Sequence, residues 1–458
     1  MISAVRRGAI CVGLCVLSSS MCDATPASPA IDSYLKPFVG TNNFTGSVLV
    51  TKNGGIVFEK NYGLADREGG VKNSADTRFH IASMSMLFTA FAAMRLVEQK
   101  KLALDEPLGS IVSDLPNGDR ITVRELLEET SGLPDANDLS NYDALLRAHQ
   151  TPDSLVQQIR GLKPLAEPGV KNTHEEHSAY NVLALIIERT TGLTFAQAMQ
   201  KLVFKPAGMQ NSGADDDSAI GGRVALGYNL FGEFGLKRAD AIHWSAKTGN
   251  GSDYSTVADI SKWFSEFLAD KLLSAESRAA ILATDKTDVG FGWDEKGFDQ
   301  RFNEKLYLSS GRSPGFSSVM LYLPNEGVTV IVLTNVEHAL DVLIGENIAS
   351  IVVGTPYKPF ADSPVSLTMQ QRQQLTGKFT FGPDFYRPNA TLTLRNTARG
   401  LVLEWPGGPE DPLLPIGANT FIDRYYWIRE TVVQDSAGRP LDLTLGKFRG
   451  ASGTLKRR

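Results

Sequence analysis

Cysteine is nearly absent from this 458-residue sequence: Cys11, Cys15 and Cys22 all fall in the first 22 positions. Beyond them no disulfide can staple the chain and no thiolate can act as nucleophile or metal ligand. Charge of one sign is missing as well. The net charge is −5 and no basic block occurs, which excludes the electrostatic footprint of nucleic-acid binding or of an anionic membrane surface. No apolar run approaches the ~20 residues that a transmembrane helix needs. Phosphate-cradling glycine fingerprints, internal repeats and low-complexity tracts are also lacking. What remains, 42% hydrophobic and 21% charged, is the composition of a soluble globular protein, long enough for more than one domain.

The first residues form a separate unit. Arg6 and Arg7 precede the apolar run "GAICVGLCVL", and the small-residue stretch "CDATPASPA" follows. That order predicts a cleavable secretory signal over 1–24 and a secreted, periplasmic product. Ser19-Ser20-Met21 ahead of Cys22 lacks the aliphatic and small residues of a lipid-attachment signal, so a lipoprotein is the lesser reading.

Beyond the leader, "GSVLVTKNGGIVFEKNYG" gives two β-rich runs around Asn53-Gly54-Gly55, a hairpin signal. Helical periodicity begins after Ser83 in "FHIASMSMLFTA" and recurs at 151–160, 178–191, 195–203 and 256–268. Strand character returns in "GFSSVMLYLPNEGVTVIVLTN" at 315–335. The pattern predicts one domain over 30–355 of mixed α/β (α+β) class: an antiparallel sheet drawn from both ends, flanked by helices, with an inserted helical lobe. Prolines 356, 359 and 364 mark a linker over 356–364. In 365–458, Leu392, Leu394, Leu401 and Leu403 alternate about a turn, predicting a small β-barrel or sandwich.

Several stretches in order, "LVEQKKLALDEPL", "ITVRELLEETSGLPD", "YSTVADISKW", "GFGW" and "SPGFSSVMLYLPNEGVTVIVLTN", resemble the serine β-lactamase and penicillin-binding-protein superfamily, in its class C-like branch. The tail is similar to the lipocalin-like domain often appended there. The resemblance implies a serine nucleophile at Ser83, with the backbone N–H groups of Ser83 and Arg312 as oxyanion hole. It also implies the three motifs SxxK, YxN and HxG, and here the sequence departs from the pattern. The lysine position holds Met86, whose thioether accepts no proton. The YxN triplet falls on Glu175-Glu176-His177 and the HxG triplet on Ser309-Ser310-Gly311. Tyr180 matches the family's second, structural tyrosine. By the same resemblance Trp263, Trp293 and Phe316 line the cleft.

A serine hydroxyl needs a base within hydrogen-bond reach. With lysine, tyrosine and edge-strand cation replaced together, a standard β-lactamase or D,D-peptidase mechanism is disfavoured. One reading is a non-catalytic binding protein that keeps the cleft for a small-molecule or peptide-like ligand, with Ser83 retained as a helix cap. The alternative is a rewired esterase, amidase or D-peptidase using Ser83 with Glu175 or His177 as base. The remaining histidines are scattered without ligand-like spacing, and neither metal nor organic cofactor is implied. The sequence leaves the oligomeric state open.

Overall fold

The computed structural model describes residues 27–170, 176–218, 220, 224–283, 289–360, 362–383, 388–408, 410–448 and 451–457. The leader and Glu175 lie outside the described residues.

Six strands build the main sheet: β1 (Gly46–Lys52), β2 (Gly55–Tyr62), β3 (Glu295–Asp299), β4 (Glu304–Ser313), β5 (Phe316–Leu323) and β6 (Val328–Thr334). Their order is β3-β4-β5-β6-β1-β2, all antiparallel, so the two ends of the domain meet where β1 pairs with β6. The β1–β2 hairpin closes on Asn53 and Gly54, both at positive φ (50° and 79°), as a twist-matched two-residue turn requires.

Alternation sorts the sheet into two faces. Val48, Val50, Val330 and Val332 point into a cluster with helices α1 (Ala27–Gly40) and α5 (Asp341–Val353). Leu49, Ile331 and Leu333 point the other way, onto α2 (Ser85–Glu98), α3 (His177–Thr191) and α4 (Val257–Leu268). Both faces are covered, which is why every residue of β6 is buried and apolar side chains dominate it. α2 is buried by Phe88 and Phe91, which meet Trp263 and Phe267 tilted or edge-on, at about 1.5–3 kcal/mol per large side chain removed from water. α3 stops at Gly192, whose φ of 67° ends it in the left-handed region.

Eight further strands, β7 (Gly377–Thr380), β8 (Thr391–Thr397), β9 (Gly400–Glu404), β10 (Glu410–Pro415), β11 (Thr420–Asp423), β12 (Arg429–Gln434), β13 (Pro440–Phe448) and β14 (Ala451–Arg457), form a closed barrel rather than a sandwich. Leu392, Leu394, Leu401 and Leu403 fill its interior, as their alternation predicts. The barrel is keyed into the first domain by Arg424, in the β11–β12 loop. Its guanidinium donates to Asn43 Oδ1 (2.9 Å) and to the carbonyls of Gly232 (2.6 Å), Gly235 (3.2 Å) and Thr41 (2.8 Å).

Candidate active site

The turn Ile81-Ala82-Ser83 enters α2 from a two-residue strand, Phe79–His80. Ala82 sits at φ +50°, a left-handed conformation that an alanine adopts only when its surroundings over-determine it. They do. Ile81 N–H donates to Asp253 O (2.9 Å), Ser318 Oγ to Ile81 O (2.6 Å) and Ser85 Oγ to Ala82 O (2.6 Å). β4 then presses on the turn from the other side. A β-carbon on Gly311 would lie 2.5 Å from Ile81 O and 2.6 Å from Ser83 N, so only glycine fits. Of the HxG-type triplet the glycine therefore keeps its place.

Ser83 is not a helix cap. It lies in a 3-10 turn, Ala82–Met84, ahead of α2, and makes no capping hydrogen bond. Its side chain lines a cavity of about 610 Å³ together with Met86, Glu129, Asn137, His177, Val289, Asp294, Ser310, Gly311, Arg312, Asp341 and Val342. Among the described residues none hydrogen-bonds the Ser83 hydroxyl.

The substituted family positions fall as follows. Met86 is buried in the cavity wall, at the place where a proton acceptor is expected. Ser309 is fully buried and donates to Gly292 O (2.8 Å), which takes it out of the chemistry. Ser310 N–H and Oγ both donate to Asp294 Oδ2 (2.7 and 2.6 Å), fixing that carboxylate at the cavity wall. Glu176 turns into the core, where its carboxylate accepts from Ser131 N, Ser131 Oγ and Gly132 N. His177 opens α3 and faces the cavity. Its Nδ1 lies 2.9 Å from Asp135 Oδ2, which also accepts the His177 backbone N–H at 3.1 Å. Asp135 Oδ1 takes Asn137 N–H at 2.8 Å. With a carboxylate as acceptor, Nδ1 is the nitrogen that carries the proton at this contact.

Asp135 is the partner of His177 that sequence reasoning missed. It ends the "SGLPD" run, and an acidic residue after a Gly-Leu-Pro turn has a sufficient local role as a cap for 136–138. Only the fold reveals its second partner, 42 positions away. Tyr180 is structural, as its family position implies: fully buried, its hydroxyl accepts Gly292 N–H at 2.7 Å. Trp263 and Trp293 belong to the core and not to the cavity, and Phe316 packs against His80 instead.

Beneath the turn lies a buried lysine that no motif announces. Lys247 Nζ donates to Tyr142 OH at 2.7 Å. Burial pushes its pKa down to about 8 against the opposing pull of the Asp135 and Glu337 charges. A β-carbon on Gly251 would lie 3.3 Å from Lys247 Cδ and 3.6 Å from the Ala82 carbonyl carbon, so the lysine stem runs just under the nucleophile turn. Its ammonium meets Tyr142 and not Ser83. At the cavity's far side burial raises Asp341 to about 6, with the Arg312 charge opposing.

The comparisons agree with this architecture. A family model described as "Beta-lactamase" matches residues 31–352. The chain is similar to the putative penicillin-binding protein PbpX of Bacillus subtilis, 28% identical over 311 residues, covering 67% of this chain and 74% of that one. It is also similar to protein flp of Staphylococcus aureus, 26% identical over 320 residues; the match covers 67% of this chain but only 62% of flp's length. Among solved structures, the octameric penicillin-binding protein homologue from Pyrococcus abyssi superimposes with a TM-score of 0.64 at 21% identity. That match covers 93% of this chain and 99% of the other, so the likeness of fold takes in the barrel. The chain belongs to the β-lactamase family of penicillin-binding-protein-like serine hydrolases.

Proposed function

We propose that the protein is a rewired serine acyl hydrolase or acyltransferase in which His177, oriented by Asp135, replaces the family's lysine and tyrosine as base for Ser83. The observation that carries this reading is the His177–Asp135 pair at 2.9 Å, set into the wall of the cavity that Ser83 opens onto. An Asp on Nδ1 fixes the tautomer that can take a proton at Nε2 and stabilises the imidazolium that forms.

The steps follow from the geometry. Ser83 Oγ bonds to the acyl carbon while its proton passes to His177 Nε2. The carbonyl oxygen gains the negative charge between the N–H groups of Ser83 and Arg312. His177 then returns its proton to the leaving group, and water or another acceptor releases the acyl chain by the reverse sequence. Ser83 and His177 are not hydrogen-bonded in the free protein, so substrate entry must draw them together, as apo sites commonly require. Glu129 and Asp294 in the wall favour a substrate bearing a protonated amine, and Arg312 one bearing a carboxylate. Small amino-acid esters, amides and D-amino-acid peptides combine these features. The reading carries export with it, supported by the leader-like Arg6-Arg7 start and the lack of cysteine after Cys22.

The test is labelling with a fluorophosphonate, read by intact mass. Wild type is expected to gain one adduct that Ser83→Ala lacks, and His177→Ala is expected to slow labelling by about 10²–10⁴-fold. Labelling no faster in wild type than in Ser83→Ala returns the protein to the non-catalytic reading, which Met86 and the unbonded Ser83 hydroxyl favour.

A further inference from the structure

His149, Asp217 and His243 lie far apart in sequence, yet the fold brings one ligand atom from each within 4.8 Å of the others. His149 Nδ1 is 2.9 Å and His243 Nδ1 3.2 Å from the same oxygen, Asp217 Oδ2. The scattered histidines of the sequence thus include a converging pair. An exposed His–Asp contact is worth little by itself and costs side-chain entropy. Two imidazoles converging on one carboxylate oxygen call for a further reason. The separations are close to the edge, about 3.3 Å, of a tetrahedron built from metal–ligand bonds of about 2.0–2.1 Å.

The three segments are also pre-set. His243 N–H donates to Leu146 O (2.8 Å), Gln150 N–H to Ser245 Oγ (2.9 Å) and Ser245 N–H to Asp217 Oδ1 (3.3 Å). Asp217 itself is held at φ 68° with its N–H on Asp215 Oδ1 (2.8 Å). Asp215 Oδ2 in turn meets His80 Nε2 at 2.9 Å, and the His80 ring stacks on Trp244 at 3.7 Å. His80 directly precedes the Ile81–Ser83 turn. A group bound at Asp217 therefore bears, through Asp215, on the segment that carries the nucleophile.

We propose that His149, Asp217 and His243 bind a zinc-class divalent cation through two imidazole nitrogens and one carboxylate, clasping three loops behind the Ser83 turn. The donor set is borderline, two nitrogens and one oxygen, which suits zinc and its neighbours over magnesium or calcium. Side-chain exposure of 57% at His149 and 45% at His243 leaves an entry path and room for a water as fourth ligand. The site is independent of the acyl-transfer reading and stands or falls without it.

The experiment uses the untagged chain, freed of metal with chelator and titrated with Zn²⁺ by calorimetry and with Co²⁺ by visible absorption. One ion per chain is expected, with Co²⁺ d–d bands of a four- or five-coordinate site and a Tm that climbs with free Zn²⁺ but not Mg²⁺. His149→Ala and His243→Ala are each expected to weaken Zn²⁺ by about tenfold or more and to abolish the Tm response. Both changes are at exposed positions, and circular dichroism checks their folding. Lack of Co²⁺ bands in the wild type overturns the proposal whatever the variants do, and so does Zn²⁺ affinity unchanged in both.

Discussion

Two buried cations, one in each half of the molecule, are handled in opposite ways. Arg424 leaves the barrel to enter the first domain and, among the described residues, meets only neutral oxygens, those of Asn43, Gly232, Gly235 and Thr41. Lys247, under the nucleophile turn, has a single oxygen partner among the described residues, Tyr142 OH, with the Asp135 and Glu337 charges at longer range. A planar guanidinium suits the first arrangement because its fixed fork can satisfy several separately placed carbonyls at once. An ammonium is a compact charge that burial can readily strip of its proton. Burial pulls both below their ordinary values, the arginine to about 9 and the lysine to about 8, so the difference lies in how they are held: four oxygens fasten the first and one hydroxyl meets the second.

Exchanging or deleting these cations tests that contrast. Arg424→Ala removes the donors for four buried or half-buried acceptors and is expected to cost about 4 kcal/mol. Calorimetry should then resolve an early transition of the barrel, and Arg424→Lys should recover only part of the loss. A single wild-type-like transition in Arg424→Ala contradicts the fastening role.

Lys247 has a folded pKa near 8, below the ordinary lysine value of 10.5. The unfolded chain holds the proton that the folded chain gives up, so stability rises as pH goes from about 8 to 10.5 and falls back on acidification. Relative to Lys247→Met, the wild type should gain about 3 kcal/mol across that window. Parallel denaturation curves for the two proteins at pH 8 and 10.5 argue against it.

Smallest is the effect of the barrel's buried acids. Asp411, Asp423 and Glu430 lie in its interior, and burial pushes all three above the usual carboxylate range, with repulsion from the neighbouring carboxylates adding to it at Asp423 and Glu430. Their folded state holds protons more tightly than the unfolded one, so this contribution is full in acid and is lost as pH rises through the raised values. The double change Asp423→Asn with Glu430→Gln should therefore stabilise the protein at pH 8 by about 1–2 kcal/mol and flatten its pH profile. Asparagine at 423 keeps the acceptor for Tyr425 and Tyr426 N–H, so the Arg424 loop is spared. An unchanged slope between pH 5 and 8 removes the acids as its cause.

What was legible in the sequence was whatever repeats locally. β-rich runs placed β1, β2, β5 and β6, alternation placed β8 and β9, and the Asn53-Gly54 pair placed the first hairpin, but no run announced β3 or β4. The family pattern located Ser83 and found Met86 in place of its lysine. What stayed hidden depends on pairs distant along the chain. Arg424 reads as one more surface arginine in a hairpin loop, because its partner Asn43 is 381 positions away. Asp217 lies 68 positions from His149, and no local period connects them. The capping role expected of Ser83 failed for a related reason. The turn's geometry is imposed by Gly311, Ser318 and Asp253 from outside the helix, not by the helix start itself.

The barrel's closure rests on a narrow seam. Among the described residues only Phe379 with Arg457 and Thr380 with Lys456 join β7 to β14, whereas β13 runs beside β14 along most of its length. Were the seam to part, both strands would expose unpaired amides. Two molecules could then trade their terminal strands, each completing the other's cylinder, and an intertwined dimer would arise with every native pairing intact.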